Sequence, residues 1–200
     1  MGSAKAKIAA IGLRPKTGRA IAVVLRGPVE AVEIIERVEL KLVDPQIRGT
    51  YQPYHQVMEL PWSEALLKAK PLVRAIEKVA VKAIAELARE LKSQKLTIAG
   101  VAIAGPVDRD LTKIGNYHIR AHAAEGLLFR DVLQAAAATN KLKYQCFAER
   151  SLPEQAATAL GLPATEINER LTMLGRAIGP PWRADQRAAA LSAWIALARV

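Results

Sequence analysis

Acidic residues are scarce in this chain of 200 residues. Nineteen Asp and Glu stand against 29 Lys and Arg, which leaves a formal net charge of +10. That surplus makes polyanions plausible partners, because each phosphate contact releases condensed counterions. Cysteine is nearly absent. Cys146 stands alone, so no internal disulfide can form, and this usage fits a reducing, cytoplasmic setting. Set in the apolar stretch LKYQCFA, Cys146 is expected to be buried as a small hydrophobe. No apolar run approaches the roughly 20 residues a spanning helix needs, so no membrane partner is expected. The opening MGSAKAKIAA runs straight into a strand-like pattern, and no secretory leader is expected from it. Neither GxxxxGK[ST] nor GxGxxG occurs, which removes the glycine cradles of P-loop and dinucleotide sites. No local motif supports a Ser-His-Asp or Cys-His hydrolase.

What remains is enough for a folded core. With 51% hydrophobic and 24% charged residues, the composition is that of a globular protein, not a disordered one. The length and the lack of repeats suggest a single domain, 1–200. Lys7 to Leu13 and Ala20 to Leu25 are almost wholly apolar and are joined by a short basic turn. From Val32 to Val43 the pattern alternates. Val32, Ile34, Val38, Leu40 and Leu42 fall on one face, with Glu33, Arg37, Glu39 and Lys41 on the other, the period of a strand with one wet side.

A loop from Asp44 to Trp62 follows, and Ser63 is a suitable N-cap for the helix after it. Leu72, Ile76, Val79, Ala83, Leu87 and Leu91 recur at helical spacing to about Lys92, and Pro71 must start or kink that helix. Leu96 to Pro106 reads as a strand buried on both faces. A helix from about Ala121 to Ala138, a strand from Leu142 to Ala148, and helices near Pro163–Ala177 and Pro181–Arg199 complete the order βββαβαβαα. The wholly apolar strands (first, second and fourth) belong at the sheet centre and the alternating ones at its edges. A five-stranded mixed α/β sheet in order 3-2-1-4-5, with helices on both faces, satisfies both conditions.

That strand order is similar to the ribonuclease H-like fold. IGLRPKTGRAIAVV (Ile11 to Val24) resembles the first hairpin of RuvC-type resolvases and YqgF-type pre-16S rRNA nucleases, and GPPWRADQRAAALSAWIAL (Gly179 to Leu197) resembles their last helix. The resemblance implies carboxylates from distant segments converging on Mg²⁺ or Mn²⁺ to activate water. Here the first acid position is Arg14, and the second falls near Ile103-Ala104-Gly105, which holds none; only the third is kept, as Asp185. The implied function is therefore binding of DNA or structured RNA by a protein with a degenerate active site. A nuclease with rearranged carboxylates, Asp185 with Glu125, Asp108 or Glu149, is the alternative.

Each candidate also has a plainer account. An acid at Asp185 would suit the first turn of a helix through the macrodipole alone. Asp108, together with Asp110, follows a strand end where open α/β sheets place ligands, yet could be a solvated loop acid. Glu149 could form a surface ion pair with little energetic value. Arg14, Lys16 and Arg19 on the first turn, and Arg176, Arg183 and Arg187 around the last helix, form a candidate phosphate-binding patch or a set of scattered charges. His118, His122 and Glu125 would share a face if one helix ran through all three, offering imidazole and carboxylate to a transition metal. Gly115-Asn116 argues that the helix starts later and scatters them, so no metal ligand is assigned. In a chain poor in aromatics, Tyr51, Tyr54, His55 and Trp62 gather in one loop. They could stack on bases, anchor a protein partner or a second copy, or pack down on the first helix.

Overall fold

The computed structural model describes residues 7–199. Strands β1 (Lys7–Lys16), β2 (Arg19–Arg26), β3 (Glu33–Lys41), β4 (Leu96–Gly105) and β5 (Tyr144–Ala148) form one sheet in the order β3-β2-β1-β4-β5. The first three are antiparallel neighbours, while β4 lies parallel to β1 and β5 parallel to β4. This is the expected mixed sheet. A two-residue turn, Thr17-Gly18, joins β1 to β2, and the positive φ of Gly18 (+74°) supplies the backbone that such a turn requires.

Strand alternation divides the apolar residues between two cores. Ala9, Ile11 and Leu13 of β1, with Val101 and Ile103 of β4, face one layer. Helices α1 (Trp62–Ser93) and α2 (Tyr117–Thr139) cover them with Ile76, Ile84, Leu91, Phe129 and Leu133. Ala10, Ala102 and Ala104 face the other layer, which is covered by α3 (Leu152–Leu160), α4 (Ala164–Ile178) and α5 (Ala184–Ala198). Trp194 of α5 is fully buried there and donates its indole N–H to Val29 O at 2.9 Å.

Five sequence expectations are corrected. In β3 the register shifts opposite Val24 and Leu25, so Ile35 becomes the extra residue of a bulge. Val32 and Ile34 then pack with the α5 layer while Ile35 and Val38 pack with the α1 layer, so the strand has no single apolar face. Helix α1 begins at Trp62 behind Pro61, so Ser63 lies inside it, and Pro71 is accommodated mid-helix on an exposed side. Helix α3 was not expected at all; its nine residues carry too short a pattern to show a helical period. Cys146 is exposed, because β5 is an edge strand, although partial desolvation still pushes its thiol pKa above the ordinary value, against the hydrogen bond from Gln134.

The fifth correction concerns α2. It starts at Tyr117, because Asn116 caps it: the side-chain carbonyl accepts the Ile119 N–H at 3.0 Å. That cap draws His118 into the first turn. Asn116→Ala is expected to cost about 1 kcal/mol of stability in urea denaturation. It should also raise amide exchange at 117–120 selectively.

Candidate functional site

The approach of α5 to β1 fixes the site. Gly12 faces the α5 layer and lies so close to Ala189 that an added Cβ would stand 1.8 Å from the Ala189 carbonyl oxygen. Two residues further along β1 on the same face is Arg14, and one turn back along α5 is Asp185. Two strand residues and one helical turn both advance about 6 Å, so contact at Gly12 dictates contact between Arg14 and Asp185. Arg14 Nε lies 3.4 Å from Asp185 Oδ1, and Lys16 Nζ lies 3.4 Å from the same carboxylate. From the end of β5, Glu149 Oε2 accepts Arg14 Nη2 at 2.6 Å, and the Ala104 carbonyl accepts Nη1 at 3.3 Å. The Arg14 side chain is only 12% exposed. Its guanidinium therefore bridges the carboxyl ends of β4 and β5 and the N-terminus of α5.

A shallow cleft of about 400 Å³, lined by Gly105, Pro106, Arg109, Glu149 and Arg150, opens beside it. This is the position beyond the parallel strand ends where open α/β sheets place ligands. The residues present do not fit a divalent cation. A fixed positive charge occupies the space between Asp185 and Glu149, and the second strand end offers only Ala104 and Gly105.

The other candidate acids are engaged elsewhere. Asp108 pairs with Arg130, which also holds Asp131 at 2.6 Å and donates to Pro106 O at 2.8 Å. Burial opposes the charge of Arg130, but its hydrogen bonds to Asp108 and Asp131 outweigh this and raise its pKa. Asp110 caps the turn at Leu111–Lys113, and hydrogen bonds from Thr112 hold its carboxyl below the usual range. Glu125 is buried at 3% exposure and accepts both the backbone N–H (3.2 Å) and Nδ1 (2.9 Å) of His55. Asp185 and Glu149 are thus the only pair of the four candidate acids to share a partner, and that partner is Arg14.

Among the candidate cations, Arg19 pairs with Glu39 at 3.1 Å. Arg187 ties α5 to α4 through Thr172 and Asn168, which makes it an internal brace. Arg183 and Arg176 are exposed and have no ion pair among the described residues. Their chain neighbours Gly175 and Trp182 are in contact, with Trp182 lying across Gly175; Arg37 donates to the Gly179, Pro180 and Pro181 carbonyls of the same α4–α5 linker.

In the 44–61 segment, Thr50 is fully buried and donates to Ile47 O at 2.8 Å. The Tyr54 and Trp62 rings meet at a tilt with centroids 5.5 Å apart, and Arg120 lies over the Trp62 ring at 5.3 Å. Burial, helped by Asp131, Glu125 and Glu77, raises the pKa of Tyr54. Only Tyr51 remains largely exposed, and its ring stands over Gly18. One partnership in this segment carries no sequence signal. His55, counted there with the aromatics, meets His118 and His122, so all three histidines of the chain converge. A widely open groove of about 640 Å³ along Val32, Ile34, Met173, Leu174 and Trp194 shares no residue with either cluster.

The sequence matches no family model and no curated protein. Solved structures do resemble it. RuvC of T. thermophilus in complex with a Holliday junction substrate is 14% identical, with 94% of this chain and 91% of that one covered and a TM-score of 0.51. A second Thermus thermophilus RuvC structure gives the same identity and coverage with a TM-score of 0.47. An Aquifex aeolicus member of the Ppx/GppA family is 11% identical over 78% of this chain and 40% of that one, with a TM-score of 0.38. With the five-stranded order and the helices on both faces, the likeness to the junction-bound RuvC shows that this chain has the ribonuclease H-like fold.

Proposed function

We propose that the protein binds nucleic acid through the face that carries Arg14 and does not cut it. The observation that carries this reading is the Arg14 guanidinium placed between Asp185 and Glu149. A cation fixed there satisfies the remaining carboxylates and excludes the metal that phosphodiester cleavage on this fold would use. Lys16 and Arg19 flank the β1–β2 turn and Arg183 caps α5, whose Asp185 meets Lys16; Arg176 follows Gly175, on which Trp182 of the α4–α5 linker packs. Such charges contact phosphates without reading sequence, and binding of that kind weakens steeply with salt. The net charge of +10 acts in the same direction. The junction in the RuvC neighbour supports branched DNA as the first ligand to try.

Fluorescence anisotropy with a four-way junction, a linear duplex and a structured RNA tests this. Four engaged cations would give a log K against log salt slope of about −3 to −4 on duplex DNA. Arg183→Glu and Lys16→Glu should each reduce the slope by about one or more, and all substrates should stay intact with Mg²⁺ or Mn²⁺. Absence of affinity at low salt would end the reading. Metal-dependent cleavage lost in Asp185→Asn would replace it with a nuclease of rearranged carboxylates.

A further inference from the structure

The three histidines meet between α2 and the 44–61 segment and touch none of the cations assigned to phosphate binding, and their arrangement is that of a ligand set. His118 and His122 stand one turn apart on α2, with Nε2 atoms 2.9 Å apart. His55 comes in from the 3₁₀ turn His55–Val57, its ring centroid 4.4 Å from His122 and 5.1 Å from His118. One nitrogen from each ring can be chosen so that all three lie within 4.8 Å of one another. Among the described residues this is the one such group of three acids, cysteines or histidines.

The detail that turns a cluster into a site is His55. Its Nδ1 is 2.9 Å from Glu125 Oε1, a contact in which the carboxylate can only accept, so the proton stays on Nδ1 and Nε2 is left as the lone-pair nitrogen. That Nε2 is buried and has no hydrogen-bond partner. An unmatched buried acceptor costs free energy and needs a reason. A metal ion supplies one. Glu125 is itself 3% exposed and is spent on the backbone N–H and ring of His55. This carboxylate–histidine arrangement is how metal-ligating imidazoles are held in one tautomer and orientation.

We propose that His55, His118 and His122 bind one divalent transition metal ion, Zn²⁺ in the first instance, with Glu125 as a positioning residue. Imidazole nitrogens favour zinc and its neighbours over Mg²⁺ or Ca²⁺, which prefer oxygen. Zinc–nitrogen bonds near 2.0–2.1 Å put tetrahedral donor atoms about 3.3 Å apart, so small side-chain rotations bring this set to bonding geometry. His118 and His122 are exposed, which leaves the fourth position open to water. The ion would pin the 44–61 segment to α2. Nothing in this depends on nucleic-acid binding.

The test uses the untagged full chain, stripped with a chelator and titrated with Zn²⁺ by calorimetry and with Co²⁺ by visible absorption. One equivalent should bind, give the intense bands of tetrahedral cobalt, and raise the Tm by several degrees. His118→Ala and His122→Ala replace exposed helix residues and should leave the fold intact while lowering affinity by at least 100-fold. Glu125→Gln should lower it by about 10–100-fold without removing the stoichiometry. Failure of the unaltered protein to bind saturably, or equal binding by the folded His118→Ala and His122→Ala variants, would overturn the assignment.

Discussion

Gly12→Ala is expected to lose at least about 3 kcal/mol of stability, or roughly 6–12 °C of Tm, and to accumulate in the insoluble fraction. The new methyl would stand 1.8 Å from Ala189 O, 2.8 Å from the carbon of the same carbonyl and 2.8 Å from Ala193 N. None of those atoms belongs to a side chain that could swing away. Either α5 lifts from the sheet or β1 bends, and both open the layer that holds Trp194 and Ile195. Gly126→Ala provides the contrast. There the methyl would meet nothing closer than Pro106 Cγ at 3.8 Å on an exposed helical position, so stability should rise by about 0.5–1 kcal/mol. Thermal melts of the two variants beside the parent decide the matter. A Gly12→Ala protein as stable as the parent would show that α5 does not sit this close.

The same contact explains how far the site could be read from the sequence. Strand order followed from which runs were apolar throughout, because central strands bury both faces and edge strands do not. That Arg14 and Asp185 belong to one site was implied by the resemblance of the first hairpin and the last helix, not by any period, and the contact at Gly12 is what brings them together. Glu149 could be placed at a strand end, but whether its carboxylate turned toward Arg14 or solvent depended on a side-chain angle that spacing does not encode. Asp108 shows the limit from the other side. Its fate was set by Arg130, 22 residues away on the next helix and embedded in what reads as an ordinary amphipathic face.

The histidine cluster was half legible. His118 and His122 carry helical spacing, but their sharing of a face depended on whether Asn116 capped the helix or ended the preceding loop. Side-chain capping and Gly-Asn turn chemistry use the same residue type, so the letters alone do not choose. His55 was invisible as a partner, because a contact over 60 residues of sequence leaves no period. Likewise the β3 bulge hides behind Ile34-Ile35, where two adjacent apolar residues fit either face.

Arg14→Asp should produce the largest change at the site. The substitution removes a cation that is 12% exposed and adds a third carboxylate beside Asp185 and Glu149, leaving Lys16 as the ion-pair partner of Asp185 among the described residues. Asp185 is about one-third and Glu149 about one-half exposed, so solvent screens much of the repulsion. A loss of about 2 kcal/mol in the presence of chelator is the appropriate scale. Oxygen ligands on a hard-cation scale are then available where a guanidinium stood, and Mg²⁺ or Mn²⁺ at 100 times its dissociation constant would return about 2.7 kcal/mol. Calorimetry should therefore show a divalent-ion heat for Arg14→Asp and none at this face for the parent, in a background carrying His118→Ala to silence the other site. Arg14→Ala separates the two effects: it loses the ion pairs without gaining a ligand, so divalent ions should not rescue it. Nucleic-acid affinity should fall in both variants and more steeply in Arg14→Asp. Cleavage should not appear, because Ala104 and Gly105 still present no carboxylate from β4. Rescue of Arg14→Ala to the same degree as Arg14→Asp would mean that the ion binds elsewhere, and the guanidinium would then have to be read as an ordinary surface brace.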